Sequence, residues 1–93
     1  MTKEEAEKNK DSLSGADLCD ANLAGADLRN AYLAGAYLLG TNLAEANLRN
    51  AYLAGANLAG AYLTGANLAI ADLSGANLRD AKLPEQSCCN END

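Results

Sequence analysis

The sequence predicts an all-β solenoid, a four-sided coil that winds about three and a half times. Three observations predict this fold. Leucine occupies every fifth position from Leu18 to Leu83. Alanine stands two residues before each of these leucines, with Thr41 as the single exception, which gives fourteen consecutive units without an insertion. All eight glycines fall at the last position of the same five-residue frame.

A spacing of five suits neither a helix nor a continuous strand. A helix advances about 100° per residue, so leucines five apart wind around its surface and form no stripe. In a continuous strand, an odd spacing sends successive leucines to opposite faces. A chain that turns one corner in every unit places all the leucines inside, with the alanines on the same side.

The last two residues of each unit form the corner. A type II turn requires a positive φ at its third residue, which Gly, Asn and Asp tolerate best. These three residue types occupy twelve of the fourteen corner positions between Gly15 and Asp80. Glu45 and Ile70 do not fit, and we expect these two corners to use another turn type with negative φ.

The number of units in one coil follows from a duplication. The string LRNAYLAGA at 28–36 recurs unchanged at 48–56, and residues 15, 35, 55 and 75 are all glycine. Twenty residues, or four units, therefore make one coil, and successive coils stack at a strand spacing of ~4.8 Å. Outward residues twenty apart, such as Tyr32 and Tyr52, are expected to lie over one another.

Tandem A-[DN]-L-x-x units resemble the pentapeptide-repeat family, and the resemblance covers residues 11–85. It implies a right-handed quadrilateral β-helix, a handedness that the spacing itself does not show. The central position is leucine throughout, without phenylalanine, so we expect an unusually uniform interior.

Two segments flank the predicted β-helix of residues 11–85. Residues 1–10 carry a capping-box pattern in Thr2 and Glu5, which favours a short helix that covers the coil end. Helices this short are marginal in water, so a disordered segment is the alternative. Pro84 lacks an amide donor and is expected to end the ladder of backbone hydrogen bonds between successive coils. Residues 86–93 are polar and acidic, and we expect this tail to be disordered.

The charge distribution argues against several classes of function. Net charge is −6, of which residues 84–93 contribute three acids and no base. No basic patch exists, so direct nucleic-acid binding is not expected. No apolar run approaches the ~18 residues of a membrane span, and the charged N-terminus does not resemble a signal peptide. The expected location is the cytoplasm.

No enzyme chemistry is predicted. The chain has no histidine, and its outward acids fall in different columns of the coil, so we expect no catalytic residue, cofactor or metal site. Cys19, Cys88 and Cys89 form no zinc pattern. They are predicted to be free thiols, with oxidative cross-linking between chains through the tail as the alternative.

Outward tyrosines and arginines suggest a binding surface, since both residue types are enriched in protein interfaces. The candidate interaction strip comprises Arg29, Tyr32, Tyr37, Leu39, Arg49 and Tyr52. The competing interpretation is structural: stacked tyrosines and asparagines would form ladders that only stabilise the coil surface.

These patterns favour a non-catalytic structural or protein–protein interaction module with a protein partner that the sequence does not identify. An open coil end also offers a route to a homodimer. The alternative is a DNA mimic that inhibits or protects a type II topoisomerase such as gyrase, because some family members act in this way through a long acidic rod. Residues 11–83 carry seven acids and four bases without an acidic column, which argues against that alternative.

Overall fold

The computed structural model describes residues 1–84. It begins with a short helix, α1, at Lys3–Lys8, followed by a 3-10 helix at Lys10–Ser12. From there the described chain coils in five-residue steps, and its extended segments are single bridge residues rather than longer strands. The predicted tail at 86–93, with Cys88 and Cys89, lies outside the described residues, as does residue 85.

Parallel bridges join outward residues that lie twenty positions apart, which is the register that the duplicated string predicts. The bridged residues form four columns, one for each side of the coil. We call these sides faces A to D, in chain order. Face A carries Asp17, Tyr37, Asn57 and Asn77; face B carries Asn22, Asn42, Tyr62 and Lys82; face C carries Asp27, Asn47 and Asn67; and face D carries Tyr32, Tyr52 and Asp72.

Backbone hydrogen bonds between coils hold this register. On face A, the Leu18 amide donates to the Tyr37 carbonyl at 2.7 Å, and the Tyr37 amide donates to the Ala16 carbonyl at 2.8 Å. At the following corner, the Asp20 amide donates to the Leu39 carbonyl at 2.8 Å. A fourth bond closes each turn, such as that from Ala21 to Leu18 at 3.1 Å. Within the middle coils only one amide per unit, that of the first corner residue, lacks a backbone acceptor.

The leucines fill the interior of the coil. Every central leucine from Leu13 to Leu63 is at most 1% exposed, including Leu48. Thr41 stands in an alanine position and is fully buried, and its hydroxyl donates to the Leu18 carbonyl at 2.6 Å, so its polar atom is satisfied. The last described coil is more open: its first three leucines are half-buried, and Leu83 is 53% exposed.

The expectation of negative φ at Glu45 and Ile70 was wrong. All fourteen corner positions have φ between 52° and 73°, with Glu45 at 63° and Ile70 at 52°. The stacked coils impose this geometry, because the Glu45 amide must reach the Thr64 carbonyl at 2.8 Å. At the Ile70 corner, the Asn50 amide of the preceding coil donates to the Ala69 carbonyl at 2.9 Å, and the turn bond from Ala71 to Leu68, 3.0 Å long, closes the turn. Packing and ladder bonds thus override the residue's own preference.

Residues 1–10 contain the helix rather than a disordered segment. The Thr2 amide donates to Glu5 Oε1 at 2.8 Å, and the Glu5 amide donates to Thr2 Oγ1 at 3.2 Å, which completes the capping box. Ala6 is fully buried against the first coil. The helix survives at this length because it packs on the coil end.

Replacing Ile70 tests the strain at its corner. Its side chain is 70% exposed, so little packing is lost on substitution. Asn occupies the equivalent positions 30 and 50 and tolerates positive φ. We expect Ile70→Asn to raise the free energy of unfolding by about 1 kcal/mol. Ile70→Ala, which keeps an unfavourable Cβ at positive φ, is the control. Urea unfolding that shows equal stability for both variants would contradict this account.

Candidate interaction surface

All nine outward Asp and Asn side chains of the regular units complete the hydrogen bonding of their own coil. In nine units, Oδ1 of the outward residue accepts the amide of the first corner residue, two positions later. The bond from Ala59 to Asn57, 3.1 Å long, is typical. This is the local bond that Asx turns use. It satisfies the amide of the first corner residue, which has no backbone acceptor. The sequence analysis missed this role, although an Asp or Asn two residues before a corner is its signature.

The outward tyrosines cannot make this bond. Consequently the corner amides that follow them have no acceptor within residues 1–84; these amides belong to Ala34, Leu39, Ala54 and Thr64. The tyrosine side chains are 41–53% exposed, so burial does not compensate for the missing bond. These four positions therefore replace a hydrogen bond of the coil with exposed aromatic surface.

The predicted strip occupies two neighbouring faces rather than one column. Tyr32 and Tyr52 stack on face D with ring centroids 5.0 Å apart and planes at 47°. Tyr37 lies on face A, bridged to Asp17 and Asn57. Leu39, at the next corner, is 43% exposed. The structure thus brings the two face D tyrosines into contact and places Tyr37 and Leu39 around a corner from them.

That corner carries only small side chains. It consists of Ala34 and Gly35 in one coil and Ala54 and Gly55 in the next. An added Cβ at either glycine would meet nothing within 4 Å, so the corner is open to solvent. A partner can approach Tyr32, Tyr52 and Tyr37 across it without meeting a long side chain.

The two arginines of the strip differ in their contacts. Arg29 donates to Asp27 with Nε to Oδ1 at 2.8 Å and Nη2 to Oδ2 at 2.7 Å, a bidentate pair. These bonds from Arg29 hold the pKa of Asp27 well below its ordinary value and raise the pKa of Arg29. Arg49, one coil later, stands beside Asn47 and forms no ion pair within the described chain. Arg49 is therefore the arginine of the strip whose charge is available to a partner.

Asparagine stacking accompanies the tyrosine stacking. Asn50 Nδ2 donates to Asn30 Oδ1 at 2.6 Å, at the corner between faces C and D. Ile70 continues this column in the next coil and is the most exposed large apolar side chain of the described residues. Sequence reasoning did not assign Ile70 to the strip. Its departure from the Gly, Asn and Asp pattern was the available signal.

Other reactive groups are dispersed. Cys19 is an exposed free cysteine, and its hydrogen bond to Asp17 is the main cause that raises the pKa of the thiol and favours its neutral form. Within residues 1–84 no three Cys, Asp or Glu side chains are grouped so as to hold a metal ion. Neither helix of this part has the length and hydropathy that crossing a bilayer requires.

Acid titration tests the Asp27–Arg29 pair. The folded-state pKa of Asp27 is lowered below 3.8, so its stabilisation is present above that value and is lost as pH falls through the folded pKa. We expect wild type to exceed Asp27→Asn in stability at about pH 6, and the difference to shrink towards about pH 2. Asp80→Asn removes a carboxylate that accepts no hydrogen bond from residues 1–84 and serves as the control. A pH-independent difference for Asp27→Asn would contradict the pairing.

Comparisons with protein families and with curated proteins give different results. The family model for pentapeptide repeats matches residues 12–50 and 46–83, with eight copies. No functionally curated protein matches the chain.

Solved structures of other pentapeptide repeat proteins resemble this one. Rfr23, from the cyanobacterium Cyanothece 51142, is 43% identical with a TM-score of 0.67, over 76% of this chain and 52% of that one. A protein from the Arabidopsis thaliana thylakoid lumen is 35% identical with a TM-score of 0.75, over 76% and 49%. A Nostoc PCC 7120 protein is 40% identical with a TM-score of 0.52, over 78% and 69%. The chain spans about half the length of the first two.

Proteins of this group form right-handed quadrilateral β-helices. The four bridge columns and the twenty-residue register of this chain agree with that architecture. Since the family model matches almost the whole coil, the chain belongs to the pentapeptide repeat family.

Proposed function

We propose that this protein is a non-catalytic interaction module that binds a protein partner across faces D and A. The observation that carries the proposal is that three of the four outward tyrosines lie on these two faces, each in place of an Asp or Asn that would satisfy a corner amide. A ladder that served stability alone would keep Asn, as most of the coil does. Exposed aromatic side chains that cost the coil a hydrogen bond are typical of a protein interface.

Tyr32, Tyr52 and Arg49 form the centre of the proposed surface. The stacked rings offer a large apolar area with little side-chain entropy to lose on binding, and Arg49 supplies a cation without an ion pair in the described chain. Tyr37 and Leu39 extend the surface across the small corner, while Arg29 lies at its margin, held by Asp27. The partner should therefore present an apolar patch with a carboxylate opposite Arg49.

A scaffold role is favoured over catalysis by the state of the outward acids. Asp17, Asp27 and Asp72 each accept a hydrogen bond from their own corner, and the first cause of the lowered pKa is such a bond in each case. They are thus held ionised, which does not suit a general acid. The pentapeptide repeat family is also generally non-catalytic.

The topoisomerase alternative has less support in the geometry. A DNA mimic needs acids repeated along one side of the rod. Asp20 and Asp80 share a corner column, but Gly40 and Gly60 separate them, and no face column of residues 1–84 holds two acids. A gyrase supercoiling assay tests this alternative directly, and we expect no inhibition at micromolar protein.

Replacing the two face D tyrosines tests the proposed surface. Asn is the substitution of choice, because it restores the bond to the corner amide and should leave the coil at least as stable. A partner is first isolated from the host by cross-linked capture and purified. We expect Tyr32→Asn/Tyr52→Asn to weaken its affinity at least ~10-fold, as for hot-spot aromatics.

Tyr62→Asn on face B is the matched control, since it makes the same chemical change outside the proposed surface. Calorimetry should give it wild-type affinity. If the double variant and the control bind equally well, faces D and A are not the interface.

A further inference from the structure

The corner between faces D and A carries two backbone amides that have no acceptor in their own coil. These are the amides of Ala34 and Ala54, and neither donates a hydrogen bond within residues 1–84. The two positions lie in adjacent coils, since the Gly35 amide donates to the Ala54 carbonyl at 2.9 Å. Adjacent coils are about 4.8 Å apart, so the corner presents a pair of donors at that spacing.

The next coil shows which chemical group binds an amide at this position. At the same corner, the Ser74 amide donates to Asp72 Oδ1 at 3.0 Å, and the Ser74 hydroxyl donates to the same oxygen at 2.6 Å. Asp72 is bridged to Tyr52 and belongs to the same column of face D. A side-chain oxygen on face D is therefore the acceptor that fits this corner, and tyrosine at 32 and 52 cannot supply it.

The two donors can be reached from outside the rod. An added Cβ at Gly35 or Gly55 would meet nothing within 4 Å, so no side chain of the described residues covers the corner. Tyr32 and Tyr52, two residues before the amides, are 48% and 41% exposed. A partner that packs on these rings excludes water from the corner, and a hydrogen bond shielded from water is electrostatically stronger than an exposed one.

We propose that the partner completes these bonds, with the Ala34 and Ala54 amides donating to side-chain oxygens of Asp or Asn on the partner protein. The inference rests on the proposed function and adds specificity to it. The stacked rings supply apolar contact, whereas the two amides select a partner with acceptors at this spacing. A partner that placed a donor or an aliphatic group there would bury both amides without an acceptor, which costs affinity.

Proline at both positions removes the two donors and keeps the tyrosine rings. The turn is of type II, with negative φ at Ala34 and positive φ at Gly35. Proline is common at the second residue of such a turn, and Pro84 already occupies the equivalent position. No bond between coils uses either amide. We therefore expect Ala34→Pro/Ala54→Pro to be at least as stable as wild type in urea unfolding.

Calorimetry with the purified partner measures the contribution of the donors to binding. We expect Ala34→Pro/Ala54→Pro to bind at least ~5-fold more weakly, because two hydrogen bonds to the partner are lost. Ala34→Val/Ala54→Val adds similar bulk but keeps both N–H groups, and it is the matched control. Thr64→Pro removes the equivalent amide beside face B. Both controls should keep wild-type affinity.

Amide hydrogen exchange, followed by NMR on the full chain, observes the donors directly. In the free protein, the amides of Ala34, Ala54 and Thr64 should exchange faster than that of Ala59, which donates to Asn57 Oδ1 at 3.1 Å. Saturating partner should slow exchange at Ala34 and Ala54 at least ~10-fold and leave Thr64 unchanged.

Three results would overturn the proposal. The first is slow exchange at Ala34 and Ala54 in the free protein, because an acceptor elsewhere in the chain would then hold them. The second is fast exchange at both amides in the complex. The third is a proline variant that binds like wild type or like the valine control. If Tyr32→Asn/Tyr52→Asn still weakens binding in that case, the proposed surface stands and only the role of the amides is removed.

Discussion

The corner with positive φ is the constraint on which the rest of this structure depends. Each corner redirects the chain so that the next leucine again points inward, and fourteen such corners have nearly the same φ. Hydrogen bonds between coils fix them collectively, because a corner of different shape would break two ladder bonds at once. This is why Glu45 adopts a conformation that suits glycine, and at Ile70, a β-branched residue, the bond from the Asn50 amide to the Ala69 carbonyl has the same effect.

The same geometry divides the surface into structural and available groups. Outward Asp and Asn residues are engaged by the corner amides, so the most polar positions of the rod are the least available for binding. The outward tyrosines, in contrast, are available for binding. They leave an amide to solvent and present an exposed ring, which makes them the part of the coil that its own stability explains least.

Repeat proteins of this kind must also manage their ends. Every coil offers hydrogen-bonding groups to the next, so an uncovered end is a template for association. Here a helix of six residues covers the first coil, although its capping box alone would not keep so short a helix folded. Helix and coil stabilise each other: the coil buries Ala6, and Glu7 of the helix accepts the Asp27 amide, while Lys10 of the 3-10 helix that follows accepts the Tyr32 amide.

Several features could be predicted from the sequence because they follow from local periodicity. The spacing of leucine and glycine predicts the corner, and the repeated string at 28–36 and 48–56 predicts the stacking of Tyr32 on Tyr52. Both depend on residues whose relative positions the chain itself fixes. The sequence likewise suggested the capping box but left the helix and a disordered segment open.

Other features could be seen only in the tertiary structure, because they depend on contacts between neighbouring coils. Sequence alone assigns Glu45 and Ile70 to a different turn, yet the stacked ladders hold them at positive φ. Arg29 and Arg49 differ for a local reason instead: the outward residue two positions earlier is Asp27 in one unit and Asn47 in the other, and within residues 1–84 only Arg29 forms an ion pair. The sequence by itself thus determined the repeating fold, because five-residue periodicity is a local property. The tertiary structure decided the strained corners and the covered coil end, because these depend on contacts between residues about twenty positions apart.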